Sequence, residues 1–133
     1  MKVVNNFISL LKSVGVECFP TGSQVYGGAT SSSDYDFCIS LDFRKQVLDL
    51  LISKRCVYEA GGSKSVDDYY GKSVYVNFEG YLFNIISLNK EDFIKWKIVT
   101  ELMKDFTRGI YGNGIVQSKE KRVELFEFFR TLV

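Results

Sequence analysis

Asp34 and Asp36 open a stretch, Asp34 to Leu41, in which polar and apolar residues alternate. Strict alternation is the pattern of a strand with one buried face, because successive side chains point to opposite sides. Tyr35, Phe37, Ile39 and Leu41 then face a core, and Asp34, Asp36, Cys38 and Ser40 face the other way. Carboxylates at positions i and i+2 stand about 7 Å apart along the backbone, near enough for their oxygens to converge on one ion. Left uncompensated, such a pair repels itself and costs stability. A divalent cation removes that conflict, and an oxygen-only donor set suits magnesium or manganese. Upstream stand Gly22-Ser23 and a loop of small residues, Gly27 to Ser33. A glycine lets a phosphate approach the backbone, and a helix beginning at Ser23 would add N–H donors and a favourable dipole. Alone, Gly-Ser reads equally well as an ordinary strand-to-helix turn with Ser23 as its cap. The aspartates downstream are what turn it into a candidate phosphate site.

The order of these parts, over Gly22, Ser23, Gly27, Ser33, Asp34, Asp36 and Phe37, resembles the nucleotidyltransferase domain of the DNA polymerase beta superfamily. That family carries a hydrophobic-Gly-Ser turn followed by Asp-hydrophobic-Asp-hydrophobic on a strand. The resemblance is specific from Gly22 to Phe37 and looser across the flanking elements, about Val3 to Leu102. It implies a polymerase-beta-like fold in which Gly22, Ser23 and Ser33 bind the nucleotide and Asp34 and Asp36 hold Mg2+ or Mn2+. The reaction it implies moves a nucleoside monophosphate from a nucleoside triphosphate to a hydroxyl on a protein, an RNA end or a small molecule. Active relatives place a third acidic residue on a neighbouring strand, and there this chain departs from the pattern. The matching strand is Tyr81 to Leu88, and its central polar residue is Asn84. An amide oxygen can coordinate a metal, but an amide cannot act as a general base. Glu79, Asp67 and Asp68 are the other acids near that position in sequence.

Three readings therefore stand side by side. The enzyme works with two aspartates and Asn84; a loop acid substitutes for the missing carboxylate; or the domain is a degenerate module that binds a nucleotide, a nucleotide signal or a protein partner. A buried polar residue on an otherwise apolar strand needs a partner, which places Asn84 beside the aspartates. Lys64, Lys72, Lys95 and Lys97 are the lysines considered for phosphate contact, and Tyr26, Tyr69 and Tyr70 the rings that could stack on a base.

Composition narrows the alternatives. With 46% hydrophobic residues, eleven Phe, eight Tyr and one Pro in 133 residues, the chain can bury a real core. Its size fits one domain, 1–133, with C-terminal helices over 89–133 packing on the sheet. A net charge of +1 lacks the basic surplus of a nonspecific polynucleotide binder. The chain has no histidine, which removes serine- or cysteine-histidine catalysis, and its three cysteines form no C-x-x-C pair. No apolar run approaches the roughly 18 residues of a membrane span, so the expectation is a soluble, cytoplasmic protein with no membrane partner. The resemblance adds only that relatives of this size act in toxin–antitoxin pairs or phage–host conflict.

Hydrophobic spacing predicts helices at Val3–Val14, Asp42–Ser53 (capped by Asp42), Asn89–Phe106 and after Ser118. Strands are expected at Val16–Pro20, Asp34–Leu41, Cys56–Ala60, Lys72–Phe78 and Tyr81–Leu88, with a tight hairpin turn at Glu79-Gly80. The inward stripes expected are Val47, Leu48, Leu51 and Ile52; Phe93, Trp96, Val99, Met103 and Phe106; and Val123, Phe126, Phe129 and Leu132. The result is an α/β (α+β) domain, a mixed sheet of about five strands flanked by helices.

Overall fold

The computed structural model describes residues 2–59, 72–108 and 118–133. Within them the chain forms α1 (Lys2–Ser13), β1 (Cys18–Thr21), the single-turn α2 (Ser23–Tyr26), β2 (Tyr35–Ser40), a 3-10 turn (Leu41–Phe43), α3 (Arg44–Ser53) and β3 (Val57–Glu59). The hairpin β4 (Lys72–Phe78) and β5 (Tyr81–Leu88) follows, then α4 (Lys90–Thr107) and α5 (Lys119–Leu132). The sheet runs β1-β2-β5-β4-β3, with β2 and β5 parallel and every other neighbouring pair antiparallel. It is the expected mixed sheet: four strands make its body, and the three-residue β3 pairs along one edge.

Each face of the sheet carries its own core. On one side Phe37, Ile39, Val76, Phe83 and Ile85 pack against Phe7 and Leu11 of α1 and Val47 and Leu51 of α3. Phe7 is the hub, with its ring 4.7 Å from Phe83, 4.8 Å from Phe37 and 5.3 Å from Phe78. On the other side Phe19, Cys38, Ile86 and Leu88 pack against Phe93, Trp96, Val99 and Met103 of α4 and Phe126 of α5. Alternation along β2 and β5 generates both cores at once, because odd and even residues feed opposite faces.

Local capping follows the sequence at three points. The Asn89 side chain accepts from the Asp92 N–H at 2.8 Å, Ser118 caps α5 through the Lys121 N–H, and the hairpin turn has positive φ at both Glu79 (51°) and Gly80 (84°). Elsewhere the expected boundaries move. Asp34 and Leu41 lie outside β2, since ladder pairing begins at Tyr35, opposite Phe83, and ends at Ser40, opposite Leu88. Asp42 is not the cap of α3: Ser40 accepts from the Asp42 N–H, and a 3-10 turn intervenes. β1 runs on to Thr21 because Thr21 still pairs with Asp36.

Several residues placed on buried stripes are exposed instead, namely Ile52, Phe106, Val123 and Leu132. Ile52, Phe106 and Leu132 fall in the last turn of their helices, and Val123 lines an open cleft. Thr100 is buried in α4, where its hydroxyl meets that of Thr21 at 2.8 Å. That bond ties the end of β1 to α4. Among the described residues, no helix is long and apolar enough to cross a membrane.

Because Phe7 bridges α1 to three rings of the sheet with no exposed surface, Phe7→Ala is expected to lower stability by about 3–5 kcal/mol. Urea unfolding checks this. A loss below about 1 kcal/mol would mean that the aromatic cluster does not anchor α1.

Candidate functional site

The sheet register brings the sequence-predicted residues together. Thr21 pairs with Asp36, Asp36 with Asn84, and Asn84 with Tyr75, so one row crosses β1, β2, β5 and β4. In such a row neighbouring side chains share a face. The Asn84 amide nitrogen donates to the Asp36 carboxylate at 3.0 Å. Asn84 is only 1% exposed, and its Oδ1 is buried without a hydrogen-bond partner among the described residues. The residue of β5 set against Asp36 is therefore an amide in contact with it, and not a carboxylate.

Gly22 is required here for two reasons. Its φ of 76° lies in the region that favours glycine. A Cβ at that position would also run into the Asp36 carboxylate, within 3.0 Å of its Cγ. The turn after β1 thus passes directly over the Asp36 side chain, and only a residue without a side chain permits it.

Gly22, Ser23, Ser33, Asp34, Asp36 and Asn84 all line one cleft of about 640 Å3. The loop that carries Ser33 is held in place from both ends. The Gln24 side chain donates to the Ser33 carbonyl at 3.2 Å, and the Ser33 hydroxyl accepts from the Thr30 N–H at 2.8 Å. Ser33 therefore orders the loop that leads into Asp34.

Asp34 and Asp36 bear the electrostatic cost. Burial, and then the charge of Asp34, pushes the Asp36 carboxyl up to about 7, against the opposing effects of the Asn84 amide and the Lys119 charge. Burial also raises Asp34, while a hydrogen bond within its own residue and Lys119 oppose the shift. The Tyr26 hydroxyl, a further part of the cleft lining, is raised mainly by burial and next by Asp36, with Arg122 acting the other way. Two carboxylates whose pKa burial raises and an orphaned amide oxygen offer an all-oxygen donor set, which fits a hard dication such as Mg2+ or Mn2+. Among the described residues no group of three or more His, Cys, Asp or Glu gathers, so Asn84 would be the third protein donor.

The cations differ from those the sequence pointed to. Lys95 is paired with Glu91 and Lys97 with Glu17, and neither lines the cleft. Lys64, Asp67, Asp68, Tyr69 and Tyr70 lie outside the described residues, and β4 includes Lys72 only as a backbone partner of Ser87. Glu79 sits at the hairpin turn, where the Asn6 side chain of α1 donates to both of its oxygens at 3.1 Å. The cleft's cations are Lys119 and Arg122, from the first turn of α5. A signal for them was present in the sequence. Lys119, Arg122, Val123 and Phe126 fall at i, i+3, i+4 and i+7, one face of a helix that starts at Ser118. Phe126 seats that face with its ring 4.7 Å from Trp96.

Gly22→Ala is expected to displace the Asp36 side chain and destabilise the fold by about 1–3 kcal/mol, read by urea unfolding. Asp36 sets a pH dependence as well. Its folded pKa lies above the ordinary value near 3.9. The native state therefore holds the proton more tightly, and the stability this gives is full below about pH 4 and lost as pH rises through about 7. Denaturation midpoints without divalent metal should fall between pH 5 and pH 8, and Asp36→Asn should flatten that fall. Equal slopes in the two proteins would contradict the burial of this carboxylate.

No protein-family model and no curated protein matches this chain. Solved structures do resemble it. The Cid1 poly(U) polymerase superposes with a TM-score of 0.56 at 17% identity, covering 80% of this chain and 34% of that one. Terminal uridylyl transferase 4 from Trypanosoma brucei with bound GTP gives 0.53 at 17% identity, covering 77% and 32%. A cytoplasmic RNA terminal U-transferase gives 0.54 at 18% identity, covering 80% and 32%. The present chain spans about a third of the length of each. At such identities the likeness shows the fold, and the fold is the polymerase-beta-like nucleotidyltransferase fold that the Gly22–Phe37 pattern led us to expect.

Proposed function

We propose that this chain is a nucleotidyltransferase that binds a nucleoside triphosphate, transfers the nucleoside monophosphate to an acceptor and releases pyrophosphate. One observation carries the reading: Asp36, held beside Asn84 and under Gly22, opens with Asp34 into the same cleft as Ser23, Lys119 and Arg122. A cleft lined by both carboxylates and cations suits a metal-bound polyphosphate better than a neutral ligand.

In this reading Gly22 leaves room for the phosphates to approach the backbone, and the Ser23 hydroxyl donates to a phosphate oxygen. Ser33 fixes the loop through its bond to Thr30. Lys119 and Arg122, which line the same cleft, offset the charge of the triphosphate. Asp34 and Asp36 would hold Mg2+ or Mn2+, with the Asn84 oxygen as a third donor. Bound there, the metal would neutralise phosphate charge and stabilise the leaving pyrophosphate. Asn84 would also orient the Asp36 carboxylate through its amide N–H. Cid1 has been solved with the UTP analogue UMPNPP and with its short product ApU, which makes a nucleoside triphosphate and an RNA end the first substrates to offer this chain.

A second reading has its own observation. With an amide where active relatives carry the third carboxylate, the domain would bind a nucleotide and not turn it over. One experiment separates the two. The protein is incubated with each α-labelled ribonucleoside triphosphate, Mg2+ or Mn2+ and cell extract, beside an Asp34→Asn/Asp36→Asn double variant. A transferase moves label into a new product, and the double variant loses at least about 100-fold of that rate. Nucleotide binding that needs the aspartates, with no transfer, would establish the binding module. Neither transfer nor binding would overturn both.

A further inference from the structure

We propose that the acceptor served by this site presents an oxygen that is already anionic, a phosphate monoester, and not a hydroxyl. The inference rests on the transferase reading and deepens it. A hydroxyl must give up its proton as it attacks phosphorus, and a positioned base typically supplies about 10²–10⁴-fold of that rate. The place for such a base is next to Asp36 on the adjacent strand, and Asn84 fills it, 1% exposed and 3.0 Å from the carboxylate. The parallel register sets Asn84 directly against Asp36, so no other β5 side chain can take that place. An amide has no lone pair that accepts a proton near neutral pH.

Among the described residues, the other acids near the site are engaged elsewhere. Asp34 and Asp36 would serve as the metal donors. Glu79 belongs to a turn where Asn6, from the helix on the opposite face of the sheet, binds both of its oxygens. Glu127 lines the cleft but is paired with Arg130 at 3.4 Å. Among the described residues, no third proton acceptor of the His, Cys, Asp or Glu type gathers with the aspartates. Lys119 and Arg122 line the same cleft. Arginine binds phosphate through paired N–H donors, so this lining favours an anionic acceptor over a neutral one.

The step then balances without a base. An oxygen of the phosphate monoester attacks the α-phosphorus, a new P–O–P bond forms, and the bond to the β-phosphate oxygen breaks. Pyrophosphate leaves with that electron pair, and no proton is transferred.

The test supplies the full chain with Mg2+ and α-labelled nucleoside triphosphate and pairs each acceptor with its dephosphorylated form. Glycerol 3-phosphate is set against glycerol, ribose 5-phosphate against ribose, and a 5′-phosphorylated oligoribonucleotide with a blocked 3′ end against the same oligomer with both hydroxyls free. Nucleotide binding is measured in parallel. The expected result is label on the phosphorylated members at least about tenfold faster than on their partners, in a product that resists phosphatase. The small esters and the oligomer distinguish a metabolite acceptor from a nucleic-acid end. Asn84→Asp should raise transfer to hydroxyl acceptors by about 100-fold, and the wild-type comparison decides the matter even if that variant fails to fold. Transfer to hydroxyls at an equal or higher rate overturns this inference and leaves the transferase reading standing. Aspartate-dependent nucleotide binding without transfer to any acceptor overturns it in favour of the binding module. Loss of both binding and transfer overturns the inference and the transferase reading together.

Discussion

The Asp36 carboxylate lies against the backbone of Gly22 on one side and the Asn84 amide on the other. Much else in the molecule follows from that placement. The turn after β1 must use a left-handed glycine, since any side chain would occupy the space the carboxylate needs. β1 must pair antiparallel with β2 so that Thr21 meets Asp36, and β2 must run parallel to β5 so that Asp36 meets Asn84. A one-residue slip in either register would turn Asp36 into the aromatic core around Phe7. The hydrophobic packing of both faces therefore enforces the polar contact. The site is bound to the fold through register and could not be relocated without rebuilding the sheet.

The two cores divide the work. The face under α1 and α3 is built from stacked and edge-on aromatic rings and contains no element of the cleft. The face under α4 is where apolar packing gives way to the site. Ile86, Trp96 and Phe126 belong to both that core and the cleft wall. The Thr21–Thr100 hydrogen bond fixes α4 to the strand end that leads into Gly22. α5 is positioned at one remove, through Phe126 on Trp96. Its cationic first turn is set by the same contact that completes the core. Burial near the carboxylates raises their pKa, and Lys119, brought in by α5, partly restores the charged form.

Where two local signals agreed, the chain was legible. Alternation marked β2, the Glu79-Gly80 turn between two apolar runs marked the β4–β5 hairpin, and Asn89 and Ser118 marked helix starts that their side-chain caps bear out. The Gly-Ser turn and paired aspartates were readable because the chemistry demands particular residue types at a fixed spacing. Asn84 was readable because a polar residue in an apolar strand needs a partner. Lys119 and Arg122 were harder, since their role depends on where a late helix docks, and that is decided by tertiary contact with α4. Asp42 misled for a similar reason. Its identity suits a cap, but Ser40, at the strand end, reached the backbone first. The stripe errors at Ile52, Phe106 and Leu132 fall in the last turn of their helices, because periodicity gives the direction of a face but not the length of the surface beneath it, whereas Val123 lies over the open cleft.

Replacing a third carboxylate by an amide changes more than the availability of a base. Two carboxylates balance the charge of one dication, whereas three would carry a surplus negative charge to be offset by a second cation. In this cleft the additional positive charge is built into the protein, as Lys119 and Arg122 on α5. Fixed side-chain cations cannot make an attacking oxygen more basic, but they attract and orient a group that is already negative. Asn84 beside Asp36 and the two cations of α5 that line the same cleft are thus parts of one electrostatic arrangement. The aspartates need positive charge, and the amide adds no negative charge. A neutral hydroxyl acceptor would gain little from those cations, whereas a phosphate oxygen would gain both attraction and alignment.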